Sequence, residues 1–300
     1  MEKRAFGRTG LQVSVLGFGG AEIGHEGVDE ATVKRLLGSA LDAGLNVIDT
    51  GECYGRSEEM IGQAVSARRD EFYLFTKVGH PHGQESGANW SPASILESIE
   101  RSLRRLRADH VDLVHLHSCS EAVLKKGDVI AALQTARKKG HTRFIGYSGD
   151  SHAAQYAVEC GAFDSLQISV NIADQEAIDH AIPAAQKKQM GVIAKRPIAN
   201  AAWKTGHKPH NSYHQTYWDR LQTLRYGFLH HDDLEKAVST ALRFTLSVPG
   251  VATAIVGTTK PERWEENARL LAAGSLSETQ FQEIRQRWEE VAPKTWIGQT

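Results

Sequence analysis

The chain alternates short apolar runs with amphipathic helical patterns, and it repeats this unit about eight times without a shift in composition. Each apolar run has the length of a buried strand, and the segment after it places apolar residues at helical spacing. Repeated strand–helix units favour a parallel sheet covered by helices. Eight such units predict an α/β fold, a single (β/α)8 TIM barrel in which residues 1–300 form one domain.

The apolar runs predict barrel strands whose boundaries are set by glycines and polar residues. These strands are residues 13–19, 45–49, 72–77, 111–117, 143–148, 165–170, 191–195 and 253–256. Residues 3–13 predict an N-terminal β-hairpin that turns at Thr9–Gly10 and closes one end of the barrel. Residues 200–229 predict an irregular polar insertion.

Helix starts are marked by capping residues. We expect caps at Asp29, at Ser57 and at Ser91, where Pro92 takes the first helical position. Ser277 with Gln280 forms a capping box for an extra C-terminal helix. The other helices are predicted at residues 129–139, 151–160, 175–189 (kinked or restarted by Pro183), 234–246 and from 261.

A doubly wound open sheet is the competing architecture. That fold binds dinucleotides through a GxGxxG turn after a strand. No strand of this chain is followed by such a turn, which counts against the open sheet.

Composition excludes several classes of partner. The formal net charge of −1 gives no general attraction for nucleic acid or anionic membranes. No apolar segment approaches the roughly 20 residues of a membrane span, and the first ten residues lack the apolar stretch of a signal peptide. Cys53, Cys119 and Cys160 have no metal or redox spacing. We therefore expect a cytoplasmic protein with free thiols; the sequence does not indicate its oligomeric state.

Three predicted strands each end in an ionisable residue. The segment GLNVIDTGECYG delivers Asp49 at the end of a strand and Tyr54 on the loop after it. The next two strands end at Lys77 and His117. Because parallel strands of a barrel end at the same face, these four side chains are expected to meet there.

Together these groups suit the protonation of a carbonyl oxygen. A free phenol has a pKa of about 10 and is a weak acid at neutrality. An adjacent ammonium stabilises the phenolate, which predicts Tyr54 as the acid, Lys77 as the group that lowers its pKa, and Asp49 as the holder of Lys77. His117 would hydrogen-bond the substrate oxygen or shape the pocket. The negative charge on that oxygen would come from hydride transfer, which requires a nicotinamide cofactor.

Each of these residues also has a purely structural interpretation. Asp49 is suited to capping, Tyr54 to a loop, and Lys77 to a solvated strand end. His115 alternates with His117 along its strand and is expected to be structural.

The sequence resembles the aldo-keto reductases over almost its whole length. The matching pieces, in the family's order, are FGRTGLQVSVLGFGG, NVIDTGECYG, FTK, VDLVHLH, IGYSG and VGTTKPERWEENA. The resemblance implies a barrel that reduces carbonyl compounds with a nicotinamide cofactor. It also implies a catalytic tetrad of Asp49, Tyr54, Lys77 and His117.

The resemblance further implies cofactor contacts along the carboxyl face of the barrel. The matching positions are Gly19, Gly20, Asp49, Ser148, Gln167, Lys195, Arg196, Pro197, Gly257, Thr258, Thr259, Arg263 and Asn267. The chain departs from many relatives at three positions, with Gly149 in place of asparagine, Lys195 in place of a stacking tyrosine, and Gly257 in place of lysine.

The helix after the last strand favours NADPH/NADP+ over NADH. Exposed backbone N–H groups at its start suit phosphate. Arg263 would pair with the 2′-phosphate that separates NADP from NAD, and Asn267 would contact adenine. The alternative is that these threonines are caps and that Arg263 is a solvated arginine.

The expected substrate is a small-molecule carbonyl compound of modest size. Polar and aromatic residues near the strand ends would line its pocket: Glu22, Ile23, Cys53, His80, His82, Trp90 and Trp203. His207, His210 and His214 lie on a polar stretch without cysteines or paired carboxylates, so we expect no metal.

Two other functions remain open from the sequence. The barrel would also suit a cofactor-binding sensor or auxiliary subunit with little turnover. A lyase or isomerase would use Lys77 as a Schiff base. The complete set of four ionisable residues favours the reductase.

Overall fold

The structure, a computed structural model, describes residues 1–25, 27–80, 90–229 and 233–299. Within these residues, eight parallel strands close into a barrel in chain order. The barrel strands are β3 (Leu16–Gly19), β4 (Val47–Asp49), β5 (Tyr73–Val78), β6 (Val111–His117), β7 (Thr142–Ser148), β8 (Ser165–Ser169), β9 (Gly191–Lys195) and β10 (Val251–Val256). Two further strands, β1 (Lys3–Ala5) and β2 (Gln12–Ser14), form an antiparallel hairpin. The predicted barrel and hairpin are confirmed.

Helices follow the barrel strands and bury apolar faces against them. They are α1 (Ala21–His25), α2 (Glu30–Asp42), α3 (Ser57–Val65), α4 (Pro92–Leu106), α5 (Glu121–Lys126), α6 (Asp128–Lys138), α7 (Ser151–Glu159), α8 (Glu176–Asp179), α9 (Ala181–Lys187), α10 (Ser212–Leu224), α11 (Leu234–Ser247), α12 (Glu262–Leu270) and α13 (Glu278–Val291). Among the described residues, none of these helices combines the length and apolar character that crossing a membrane requires.

Three of the four predicted helix caps are confirmed. Asp29 accepts a hydrogen bond from the Thr32 N–H, Ser91 from Ser94, and Ser277 from Gln280. The expected cap at Ser57 is wrong, because Arg56 occupies that position without a side-chain bond. The Ser57 hydroxyl instead lies 2.8 Å from the Thr50 hydroxyl, so it joins α3 to the end of β4.

Polar side chains shift some of the predicted boundaries. The predicted strand 13–19 is interrupted after Ser14, where the Asn46 side chain accepts from the Ser14 N–H and donates to the Gln12 carbonyl. The predicted helix 175–189 is two helices, α8 and α9, which separate at His180. Pro183 lies in the first turn of α9, where its missing N–H costs nothing. The insertion predicted to be irregular contains α10.

The hairpin closes the amino end of the barrel with the side chain of Phe6. The Phe6 ring is fully buried and stacks on Phe75 with 5.7 Å between ring centroids. Leu11 and Val13 of the hairpin join the same cluster inside the barrel. A Cβ at Gly191 would lie 2.6 Å from the Phe6 ring, so only glycine fits beside this plug.

We predict that Phe6→Ala lowers the free energy of unfolding by about 3–5 kcal/mol, because it leaves a cavity and removes an aromatic pair. Urea unfolding at neutral pH measures the change. Leu234→Ala, at a partly exposed residue on α11, is the control and should stay within about 0.5 kcal/mol. A loss below about 1 kcal/mol for Phe6→Ala would contradict the role of the plug.

Candidate active site at the carboxyl end of the barrel

The ends of β4 and β5 bring together a buried ion pair. The Lys77 ammonium donates to Asp49 Oδ2 and, over 2.7 Å, to the Thr50 carbonyl. Both charged side chains are almost completely buried. The Lys77 Nζ also lies 4.8 Å from the centroid of the Tyr54 ring. Asp49, Lys77 and Tyr54 therefore form one cluster.

His117, at the end of β6, completes this cluster. Its ring meets the Tyr54 ring edge to face, with 5.6 Å between centroids. Its Nδ1 lies 3.4 Å from the Cys53 sulfur, and the His80 ring packs against its other side. The structure thus places the four predicted catalytic residues in contact at the barrel mouth.

Burial raises the pKa of Tyr54 to about 12, although the charge of Lys77 acts in the opposite direction. Lys77 lowers the pKa of the phenol, as predicted, but burial has the larger effect, so the prediction that this pKa lies below its ordinary value is wrong. Desolvation outweighs the ammonium because protein groups surround the half-buried Tyr54 side chain. Tyr54 consequently carries its proton throughout the neutral range.

Lys77 is held in its charged form and His117 in its neutral form. Burial alone would lower the pKa of Lys77, but Asp49 and Tyr54 outweigh it and the pKa is raised. For His117, burial and the nearby Lys77 charge hold the pKa well below its usual value. A charged, hydrogen-bonded amine is a poor nucleophile, which argues against a Schiff base on Lys77.

Asp49 is also tied to the far side of the barrel. The Ser148 hydroxyl donates to Gln167 Oε1 over 2.8 Å, and Gln167 Nε2 donates to Asp49 Oδ1 over 2.9 Å. Pairing of β7 with β8 sets Ser148 opposite Gln167, which the strand register could have predicted. The contact between Gln167 and Asp49 crosses the barrel, and no local pattern in the sequence signals it.

Lys195 and Arg196 bind other protein groups. The Lys195 ammonium lies 2.7 Å from Asp150 Oδ2, an acidic partner that was not predicted from the sequence. Arg196 donates to the Ser169 hydroxyl over 2.7 Å, to the Tyr213 hydroxyl and to the Gln299 carbonyl. Arg196 thus anchors the end of the chain to the barrel mouth.

Two other predicted cofactor-binding positions, Pro197 and Gly20, make hydrogen bonds through their backbone. The Pro197 carbonyl accepts from the Thr245 hydroxyl over 2.7 Å. The Gly20 N–H donates to the Asp49 carbonyl, and a Cβ at Gly20 would lie 2.6 Å from the Ser57 hydroxyl.

The predicted adenine end lies at the junction of β10 and α12. Gly19 and Gly257 approach each other there, and a Cβ at Gly257 would collide with the Glu22 carboxylate. Arg263 is half exposed and pairs with Glu266 over 2.8 Å. Thr258 and Thr259, which follow Gly257 in the sequence, are half buried.

Asn267 stands out at this end of the site. It is only 4% exposed, and its Nδ2 has no hydrogen-bond partner among the described residues. A buried amide without a partner is costly. Asn267 is therefore suited to a ligand.

Two rings and a thiol line the mouth beside Tyr54. The Trp90 ring packs edge to face on His80, with 5.4 Å between centroids, and Cys53 is half buried next to them. Ile23 and Trp203 are buried in the core. His82 lies outside the described residues. Within those residues, no group of three histidine, cysteine or acidic side chains is placed to hold a metal.

Comparison with known proteins identifies the family. The family model described as Aldo/keto reductase family matches residues 15–289, and the chain belongs to this family. It is an oxidoreductase that acts on CH–OH or carbonyl groups, and the family typically uses NAD(P)H.

Relatives match the chain over nearly its full length. It is 28% identical to L-galactose dehydrogenase of Arabidopsis thaliana, over 99% of this chain and 97% of that protein. It is 27% identical to the uncharacterized oxidoreductase YqkF of Bacillus subtilis strain 168, over 95% and 96%. The holo form of aldo-keto reductase AKR11C1 from Bacillus halodurans superposes with a TM-score of 0.85 at 27% identity, over 98% and 99%.

The three cysteines should differ strongly in reactivity. Burial raises the pKa of Cys53 to about 11 and that of Cys119 to about 12, whereas Cys160 is exposed. At pH 8, about three units below its pKa, Cys53 would be thiolate in about one molecule per thousand. We predict that iodoacetamide at pH 8 modifies Cys160 first, and Cys53 and Cys119 at least about tenfold more slowly. Peptide mass spectrometry measures the rates, and preferential labelling of Cys53 would contradict its burial.

Proposed function

We propose that this protein catalyses the NADPH-dependent reduction of an aldehyde or ketone to an alcohol, with the proton supplied by Tyr54. One observation carries the proposal: the Tyr54 phenol lies between the buried pair of Lys77 with Asp49 and the neutral His117. Such a set can protonate an oxygen as negative charge develops on it.

The bound nicotinamide would supply hydride to the carbonyl carbon, which leaves negative charge on the carbonyl oxygen. Tyr54 keeps its proton until that charge appears, since burial raises its pKa to about 12. Lys77 then stabilises the phenolate that remains, and Asp49 holds Lys77 in place and balances its charge.

His117 would orient the substrate oxygen. Its Nδ1 faces the Cys53 sulfur, so Nε2 is the nitrogen left for that oxygen. A neutral imidazole can donate one hydrogen bond there and adds no charge that would favour release of the Tyr54 proton. This division of roles makes Tyr54 the proton donor and His117 a second hydrogen-bond donor.

The residues present fit a nicotinamide dinucleotide at both ends of the face. Gln167 and Ser148 offer a buried amide and hydroxyl beside Asp49, suited to a carboxamide. The unpartnered amide of Asn267 suits adenine. Gly19 leaves room for close approach to its backbone, whereas the Glu22 carboxylate covers Gly257 and would have to move before phosphate could bind there.

We assign the preference for NADPH to Arg263, with Thr258 and Thr259 as further phosphate ligands at the start of α12. Among the other predicted cofactor-binding positions, Lys195 would lie near the nicotinamide, and Pro197 would line the channel for the pyrophosphate. Arg196 is a weaker choice because the protein's own groups occupy its donors.

The substrate would be a small carbonyl compound that enters between Cys53, His80 and Trp90. Aromatic walls with few polar groups suit a molecule of modest size. Three relatives are named as sugar dehydrogenases, so aldehydes, ketones and sugars should be tested together. We also place the protein in the cytoplasm, since its three cysteines are free thiols.

We predict that Tyr54→Phe lowers kcat for 4-nitrobenzaldehyde reduction by about 10²–10⁴-fold, because the proton donor is lost. The loss of nicotinamide absorbance measures turnover, and protein fluorescence quenching measures NADPH binding. The dissociation constant of NADPH should change by less than about twofold. Tyr73→Phe, at the opposite end of β5, is the matched control and should keep full activity.

Unimpaired turnover in Tyr54→Phe would contradict the role of Tyr54. Tight NADPH binding by the wild-type protein, with negligible turnover of all three substrate classes, would favour the sensor or auxiliary subunit. Trapping of a substrate adduct on Lys77 by borohydride would favour the Schiff-base lyase.

We predict that Arg263→Ala weakens NADPH binding by about 10–100-fold and leaves NADH binding nearly unchanged, because a charge-assisted bond to the 2′-phosphate is lost. Arg269→Ala is the matched control, since Arg269 is also exposed on α12 and pairs weakly with Glu235. Equal weakening of NADPH and NADH binding by Arg263→Ala would overturn the assignment.

A further inference from the structure

A tight turn places Tyr54 in the site. The Tyr54 N–H donates to the Gly51 carbonyl over 3.0 Å, which makes Glu52 and Cys53 the two central residues of a β-turn. The Tyr54 ring packs toward Lys77 on one side of this turn. The Glu52 side chain contacts α4, and it is only 1% exposed.

Glu52 accepts hydrogen bonds from two side chains on one face of α4 and forms an ion pair with a third. Arg101 Nε donates to Glu52 Oε1 over 2.7 Å, and the Ser98 hydroxyl donates to the other carboxylate oxygen. Arg105 lies 3.6 Å away. The Glu52 N–H also donates to the Lys77 carbonyl over 3.1 Å. One residue thus joins α4, the turn and the strand that carries Lys77.

The same helix, α4, also fixes the far end of the loop that carries Tyr54, where this loop enters α3. Arg105 lies 3.4 Å from Glu58, in the first turn of α3, and Glu58 accepts from the Thr76 hydroxyl over 2.7 Å. Thr76 is next to Lys77 on β5. The loop that carries Tyr54 is therefore fixed by a buried carboxylate on each side, and Arg105 contacts both carboxylates.

We propose that Glu52 is a positioning residue, which holds the turn so that the Tyr54 hydroxyl stays in register with Lys77 and the substrate oxygen. The proposal rests on the proposed role of Tyr54 as proton donor. Proton transfer needs the acid within hydrogen-bond distance of the oxygen, and a displacement of about 1 Å can cost about a hundredfold in rate. A charge-assisted contact with little exposure to water suits that task.

The test compares Glu52→Gln and Arg101→Gln with two matched controls on α4. Glu97→Gln removes the charge of a second carboxylate near Arg101. The Glu97 carboxylate is exposed and lies 3.8 Å from the Arg101 guanidinium. Arg104→Gln removes an exposed arginine of the same helix. Arg101→Lys restores the charge as a rescue. Thermal unfolding first establishes which variants are folded.

Two readouts distinguish positioning from stability alone. For Glu52→Gln and Arg101→Gln we expect kcat to fall by about ten- to a hundredfold, with KM and the NADPH dissociation constant within about twofold. Alkylation of Cys53, the neighbour of Glu52 in the turn, should become several-fold faster in a Cys160→Ser background. Arg101→Lys should recover both readouts in part, and the two controls should match the wild type.

Unchanged kcat and unchanged Cys53 alkylation in a folded Glu52→Gln variant would overturn the proposal, and so would equal effects in Glu97→Gln. If Glu52→Gln does not fold, the result for Arg101→Gln decides the question, because that variant keeps the contacts of Ser98 and Arg105 with Glu52. If the wild-type protein turns over no carbonyl compound, the proposed function fails. Faster Cys53 alkylation would then still support the role of Glu52 in holding the turn, and unchanged alkylation would refute it.

Discussion

The buried ion pair between Lys77 and Asp49 is the interaction on which the site depends. Two opposite charges withdrawn from water are costly to bury and persist only where their remaining hydrogen-bonding capacity is met. Here the Thr50 carbonyl accepts a second hydrogen bond from the Lys77 ammonium, and the Gln167 amide donates to the second Asp49 oxygen. With the pair fixed, Tyr54 has a cation beside its ring and His117 is kept neutral.

Strand register explains why these residues meet. In the parallel barrel, Gly19 pairs with Asp49, Lys77 with His115, and His117 with Ser148, which in turn leads to Gln167. Neighbouring strands therefore deliver residues at their carboxyl ends to one rim, where the Lys77 side chain contacts Asp49 and the Ser148 side chain contacts Gln167. The loops add further side chains to the rim, since Tyr54 comes from a turn and Trp90 from the segment just before α4.

Much of this arrangement could be predicted from the sequence, because it depends on local signals. Alternating strand and helix patterns predicted the barrel, and residues at strand ends predicted the cluster of Asp49, Lys77 and His117. Contacts between strands that are not neighbours, such as Gln167 with Asp49 and Lys195 with Asp150, could not be predicted, because no sequence spacing encodes them. The direction of the Tyr54 pKa also escaped prediction, because it depends on how far burial outweighs one nearby charge, and burial is a property of the folded chain.

The Phe6 plug has a consequence for the traffic of protons. Because Phe6, Phe75 and their neighbours fill the amino end of the barrel, the described residues leave the carboxyl rim as the side from which water would reach Tyr54. Under the proposed function, a molecule bound at that rim would stand between the phenol and water, so Tyr54 would regain its proton between turnovers, after that molecule leaves. The hairpin lies at the opposite end of the barrel from the proposed chemistry. By closing that end, it would restrict solvent access to the proposed active site to the carboxyl side.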